Sequence, residues 1–172
     1  MLNKFLKNKK GFTLLETLFA VFLTTILFSA IFGFISQSLR TVSLSDSKFS
    51  AAYLAQEGLE IVRNIRDTNL LKQQPWDQGL PETITGPLNL DYLTTSLPDS
   101  RCSLALKFNG SFFGCEGISV TKFNRKVFIR NKEDLNGDAK PDKLEVEVVV
   151  EWLEKGQLQN VNVKTFLYNW RQ

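Results

Sequence analysis

Lys9-Lys10-Gly11-Phe12-Thr13-Leu14-Leu15-Glu16 opens an apolar run that continues to Ile35 and contains no ionisable side chain besides Glu16. As a helix, the stretch from Phe12 to Ile35 would reach about 36 Å at a rise of about 1.5 Å per residue. A bilayer's hydrocarbon core is roughly 30 Å thick, so the stretch spans it with some tilt. A carboxylate near the middle of such a span costs about 2.5–3.5 kcal/mol, and less near an end. Glu16 therefore needs a partner or a function. A cut after Gly11 would supply one, a new amino group at Phe12, about one helical turn from Glu16 in sequence.

The flanks narrow the reading. Lys4, Lys7, Lys9 and Lys10 form a positive flank of the kind that stays in the cytoplasm. An ordinary signal anchor or a secretory signal peptide would carry the same flank. The apolar run is longer than a usual signal core and has no small-x-small exit site close by, and neither alternative accounts for Glu16 or the Gly11-Phe12 junction.

This run resembles the prepilin signature of type IV pilins and type II secretion pseudopilins. The matching elements are the short basic leader, Gly11, Phe12 and Glu16. The resemblance implies that a membrane prepilin peptidase cleaves after Gly11 and methylates the amine of Phe12. It implies that Glu16 pairs with the N-terminal amine of a neighbouring subunit during assembly on an inner-membrane platform. Gly33 sits where major pilins commonly carry a helix-kinking proline, which favours a minor pilin or a pseudopilin. The run Ala51-Ala52-Tyr53-Leu54-Ala55-Gln56-Glu57-Gly58-Leu59-Glu60-Ile61-Val62-Arg63-Asn64-Ile65-Arg66-Asp67 also looks like other bacterial pilin-like sequences. The implied location is a single pass through the cytoplasmic membrane with an extracytoplasmic head, followed by incorporation into an extracytoplasmic filament.

Composition agrees with a non-catalytic part. The 172-residue chain has a formal charge of +3, from 21 basic and 18 acidic residues, but the leader holds four of the lysines and no acid. After processing, acids would outnumber bases by one, so no dense basic patch argues for nucleic acid. Histidine is absent, which removes the commonest general base and zinc ligand. There is no G-x-S-x-G, P-loop or dinucleotide fingerprint. Glu147 and Glu151 lie four apart on a strand's polar face and read as solvated charge. Cys102 and Cys115, outside the cytoplasm, read as a disulfide, with two free buried thiols as the alternative.

Beyond Ser36 the chain becomes polar without a helix breaker. Ala51, Leu54, Ala55, Gly58, Ile61, Val62 and Ile65 then recur at helical spacing and mark one apolar stripe. The helix is expected from about Phe12 to Ile65, fading near Asp67-Thr68-Asn69. Residues 68–100 are rich in Pro, Gly, Asn, Asp and Thr and read as a connecting loop, with Trp76 pinning it to the core.

Period-two patterns follow. Cys102, Leu104, Leu106 and Phe108 alternate before an Asn109-Gly110 turn. Lys122–Arg130, Lys143–Glu154 and Val161–Trp170 read as further strands, with Lys155-Gly156 turning the chain between the last two. The expected fold is α+β, a long helix packed on an antiparallel sheet of about four strands. The expected segments are a leader (1–11), a membrane helix (12–35), its amphipathic continuation (36–67), the loop (68–100) and a sheet head (101–172).

One further constellation stands out. Asp134, Asn136, Asp138, Asp142 and Glu145 occupy positions 1, 3, 5, 9 and 12 of a calcium loop, with the Lys140 carbonyl at position 7. The sharp-turn position 6 holds Ala139 instead of glycine. Calcium is one reading and a solvated hairpin turn, balanced by Lys132, Lys140 and Lys143, is the other. For function, the expectation is a structural filament subunit requiring no cofactor. The alternatives are a signal-anchored binding module that never polymerises and a membrane-tethered enzyme.

Overall fold

A computed structural model of the chain describes residues 11, 13–82, 86–88, 90–98, 102–103 and 105–170. Helix α1 spans Leu14–Leu71, and five strands follow: β1 (Ala105–Phe108), β2 (Phe113–Gly114), β3 (Ser119–Glu133), β4 (Lys143–Glu154) and β5 (Gln157–Tyr168). The chain divides into two units, residues 1–43 and 44–172.

In the first unit, every described residue from Leu14 to Gln37 is exposed, and the helix is long and apolar enough to cross a membrane. Between Leu14 and Ile35 its four hydroxyls are internally satisfied, as a helix in lipid would require. Thr17 Oγ1 donates to the Leu14 carbonyl (2.9 Å), Thr25 Oγ1 to Phe22 (2.8 Å) and Ser29 Oγ to Thr25 (2.9 Å), while Thr24 Oγ1 donates to Ala20. Residues Leu14–Ile35 are therefore compatible with hydrocarbon although five of their side chains carry polar atoms, Glu16 included.

In the second unit, α1 lies against the antiparallel sheet, whose strand order is β2-β1-β3-β4-β5. Alternation decides which face is covered. Leu144, Val146, Val148, Val150 and Trp152 of β4 and Phe123, Val127 and Ile129 of β3 form the core with the predicted helix stripe, all seven members of which are buried. Gly58 permits the close approach: a Cβ there would lie 3.0 Å from Val148 Cγ1 and 3.3 Å from Arg125 Cδ.

The helix ends at Leu71, about one turn beyond the expected fading point. Gln73 takes a positive φ of 58°, with Gln74 N–H donating to Asn69 O (2.9 Å) and Gln73 N–H to Leu70 O (3.2 Å). This is a Schellman-type stop made without the usual glycine, so the sequence carried no obvious end signal.

Asn69 and Trp76 then fasten the loop. Asn69 Nδ2 donates to Trp76 O and Gln78 O, and Trp76 Nε1 donates to Pro141 O (2.6 Å), leaving the indole buried as the pin expected of it.

The sheet has one more strand than expected, because the two-residue β2 folds back on β1 after the Asn109–Phe112 loop. β3 is longer than its sequence pattern. It runs on to Glu133 through an irregularity at Asn131, whose φ is 51°. β5 begins at Gln157, since Lys155 and Gly156 both take positive φ and form a two-residue hairpin between Glu154 and Gln157.

Ile129 is fully buried at the centre of this packing. Ile129→Ala should cost about 2–5 kcal/mol through lost transfer energy and a residual cavity. Urea unfolding of the detergent-solubilised chain, followed by Trp fluorescence, should show a lower midpoint with an unchanged slope.

Candidate functional site

Two side chains, Thr13 and Glu16, build the N-terminus of α1. Thr13 precedes the helix, and its hydroxyl accepts the Glu16 N–H (3.3 Å). In return, Glu16 Oε2 accepts from Thr13 N–H (3.1 Å) and from Thr13 Oγ1 (3.1 Å). This is a capping box, with Thr13 and Glu16 at the T-x-x-E spacing, and it satisfies orphan amides at a helix start. Sequence reasoning singled out Glu16 but missed Thr13, although the T-x-x-E signal was present in the chain.

The carboxylate also sits in the helix's first turn, where the macrodipole favours a negative charge. Both contacts use Oε2, so among the described residues Oε1 keeps its acceptor capacity. Gly11, two residues before Thr13, is exposed. Phe12 and the leader lysines lie outside the described residues.

In the head, Cys102 and Cys115 form the expected disulfide, with Cα atoms 4.7 Å apart, joining the chain before β1 to the end of β2. A loop of this length contributes about 3 kcal/mol in the chain-entropy model. Asp91 adjoins it: its Oδ2 accepts the Cys115 N–H (3.2 Å) and its Oδ1 accepts the Tyr92 N–H (2.6 Å). The Asp91, Cys102 and Cys115 donor atoms cluster within 4.8 Å, but the two sulfurs are bonded to each other and are not thiolate ligands.

Sequence reading also passed over Arg125. Its side chain is 2 % exposed between sheet, helix and loop. Nη1 donates to the Leu54 carbonyl (3.3 Å) and lies 3.4 Å from Glu57 Oε2, while Nη2 donates to the Leu90 carbonyl (3.2 Å). Burial pulls the guanidinium below its ordinary value, opposed by Glu57 and Asp91. Nothing in a lone Arg on an alternating strand signals burial, because the acceptors are distant carbonyls.

The outer face of the sheet corrects another expectation. Glu147 is not solvated but 8 % exposed, held by Asn162 Nδ2 (2.6 Å), Lys164 Nζ (3.5 Å) and Arg130 Nη2 (3.6 Å). Glu151 pairs with Lys126 at 2.6 Å. The register places cations on both flanking strands, so the two acids are structural partners of bases and not a free pair.

The acidic loop folds around its first carboxylate. Asp134 Oδ1 accepts from Asn136 N–H (3.1 Å) and Gly137 N–H (2.7 Å), and Oδ2 accepts from Ala139 N–H (2.8 Å). Asp142 Oδ2 accepts from Leu135 N–H and Asn136 N–H, and Asp138 Oδ1 from Lys140 N–H. Ala139 adopts φ 63°, making the position-6 turn despite its Cβ. Glu145 is drawn to the sheet, accepting from Asn131 Nδ2 (2.8 Å) and Lys164 Nζ (3.3 Å). Asp134, Asn136, Asp138 and Asp142 thus share one tight loop, while Glu145 serves the strand pairing.

Comparison with known families matches residues 6–32 to the prokaryotic N-terminal methylation motif, covering the end of the leader, the Gly11-Phe12 junction and Glu16. No curated protein and no solved structure matches the chain.

The Gly137 and Ala139 amides hold the Asp134 carboxyl below its usual range, with Asn136 and Asp138 adding to the effect. A depressed folded-state value means that this group's stabilisation is present above the unfolded carboxyl range and is lost as pH falls through the folded value. Asp134→Ala should therefore melt below wild type at neutral pH. The gap should close as pH drops below the carboxylate range, in melts scanned from neutral to strongly acidic buffer.

Proposed function

We propose, from the premise that the chain carries the N-terminal methylation motif of the type IV pilin and pseudopilin family, that it is a minor pilin or pseudopilin. In this reading a prepilin peptidase cuts between Gly11 and Phe12, and the mature chain enters a filament through α1. The observation that carries the proposal is Glu16. It is the lone ionisable side chain between Phe12 and Ile35, with Thr13 occupying one of its oxygens and the other available for an amine.

Cleavage would create that amine at Phe12. In a lipid-like surrounding, a lone ammonium and a lone carboxylate are each costly, and pairing them between subunits lowers the cost of both. The capping box would hold Glu16 ready beforehand by tying its carboxylate to the helix start. A disulfide in the head suits an extracytoplasmic position. The partners of this reading are the peptidase, other pilin or pseudopilin subunits, the assembly platform and the membrane. The role is structural, not enzymatic.

Co-expression with a prepilin peptidase followed by intact-mass analysis should give a chain beginning at a methylated Phe12. Intact Met1 would favour the non-polymerising, signal-anchored binding module. Glu16→Gln keeps the side chain's size and loses its charge. It should leave membrane insertion intact and lower incorporation into filaments by tenfold or more, read by shearing and immunoblot. Unchanged incorporation would remove the assembly role.

For the Asp134–Asp142 loop we propose a weak structural calcium site. Asp134, Asn136, Asp138, Asp142 and the Lys140 carbonyl would be donors, and Glu145 would join only by leaving Asn131 and Lys164. Its affinity should fall near the extracellular range of roughly 10⁻⁴–10⁻³ M. Melting temperature should rise with millimolar calcium relative to chelator, by mass action on the folded state. The pair Asp134→Ala and Asp138→Ala should abolish that difference, and identical wild-type melts would reduce the loop to a charged turn.

A further inference from the structure

The two edges of the sheet differ. On one side, β1 has four residues with an irregular register against β3, and β2 has two and ends at the disulfide. That edge is short and interrupted, as edges protected from further pairing usually are. On the other side, β5 pairs with β4 without a break from Lys143–Tyr168 to Glu154–Gln157. Among the described residues no strand lies beyond it. β5 contains no proline, no glycine and one charge, Lys164. At about 3.3 Å per residue, its twelve residues present roughly 40 Å of main chain whose outward N–H and C=O groups meet no backbone partner among the described residues.

We propose that this edge is a docking site for an extended strand of a partner protein, added antiparallel to β5. An apolar surface accepts many shapes, but a row of alternating main-chain donors and acceptors is matched by another strand. The side chains narrow the partner's chemistry. Toward the helix, Val161 and Val163 are only partly buried against the core, so apolar residues at alternate positions of the partner would extend that core. On the opposite face, Lys164 is half-exposed and meets Glu145 at 3.3 Å and Glu147 at 3.5 Å across the strand. A carboxylate on the added strand would approach the same ammonium from the open side. Another copy of β5 would bring a second lysine and no acid, so charge favours a different, acidic strand over self-pairing. The inference is independent of the filament reading, since it uses only the head.

The probe is a labelled peptide with the sequence of Lys143–Glu154, which carries alternating apolar residues and acids and already fits β5 from the other side. It is titrated into the full chain in detergent micelles. Saturable binding by fluorescence anisotropy, with slowed hydrogen exchange at alternate amides of β5, is expected. Asn160→Pro and Val161→Pro provide the variant arm: neighbouring residues of a strand point their N–H groups to opposite sides. One should melt lower because it loses a bond to β4, and the other should melt as wild type and bind the peptide at least about tenfold more weakly. Four outcomes would overturn the proposal. They are no saturable binding at millimolar peptide, binding without protection of β5, wild-type affinity in the variant that melts normally, or concentration-dependent dimers that protect β5 without peptide. The last outcome would assign the edge to a second copy.

Discussion

Inside hydrocarbon, every polar group must find its partner within the protein. The first part of α1, long and apolar enough to cross a membrane, meets that constraint. A single helix pairs its own backbone, and Thr17, Thr24, Thr25 and Ser29 return their hydroxyls to carbonyls three or four residues back. The helix start is the weak point, because its first amides have no helical acceptor. The Thr13–Glu16 box covers part of that deficit, and it gives the lone carboxylate a structural reason to sit where it does.

The second half solves a different problem with the same helix. Past residue 44, α1 is clamped by the sheet through small residues, above all Gly58, whose missing side chain lets Val148 and Arg125 come close. Arg125 of β3 then ties the sheet to the helix and the loop, reaching the Leu54 carbonyl and the Glu57 carboxylate of α1 and the Leu90 carbonyl of the loop. Its Nε has no hydrogen-bond partner among the described residues, so the site is satisfied at the guanidinium tips and not along its length. Such a group stabilises only while all its acceptors stay in place, which couples helix, sheet and loop.

The outer face and the acidic loop show charge used as local structure. Cross-strand pairs around Glu147 and Glu151 leave those acids engaged, and Asp134 turns its loop by accepting three backbone amides. The chain thus combines an N-terminal methylation motif over residues 6–32, an apolar helix long enough to cross a membrane, a capped carboxylate and a head closed by a disulfide.

Much of this was legible in the residues. Hydrophobic length determined a helix long and apolar enough to cross a membrane, and helical spacing determined its buried stripe. Strand alternation determined which face of β4 meets the core, because these are local periodicities that burial simply follows. The pairing of Cys102 with Cys115 was also readable, there being no third cysteine. The tertiary structure alone decided what depends on distant partners. It closed a helix at Gln73 without glycine, added β2, buried Arg125 against carbonyls of Leu54 and Leu90, and drew Glu145 away from its loop to Lys164 and Asn131. It also left β5 as a long open edge, since strand order is set by which chains meet across the core and not by any one strand's own pattern.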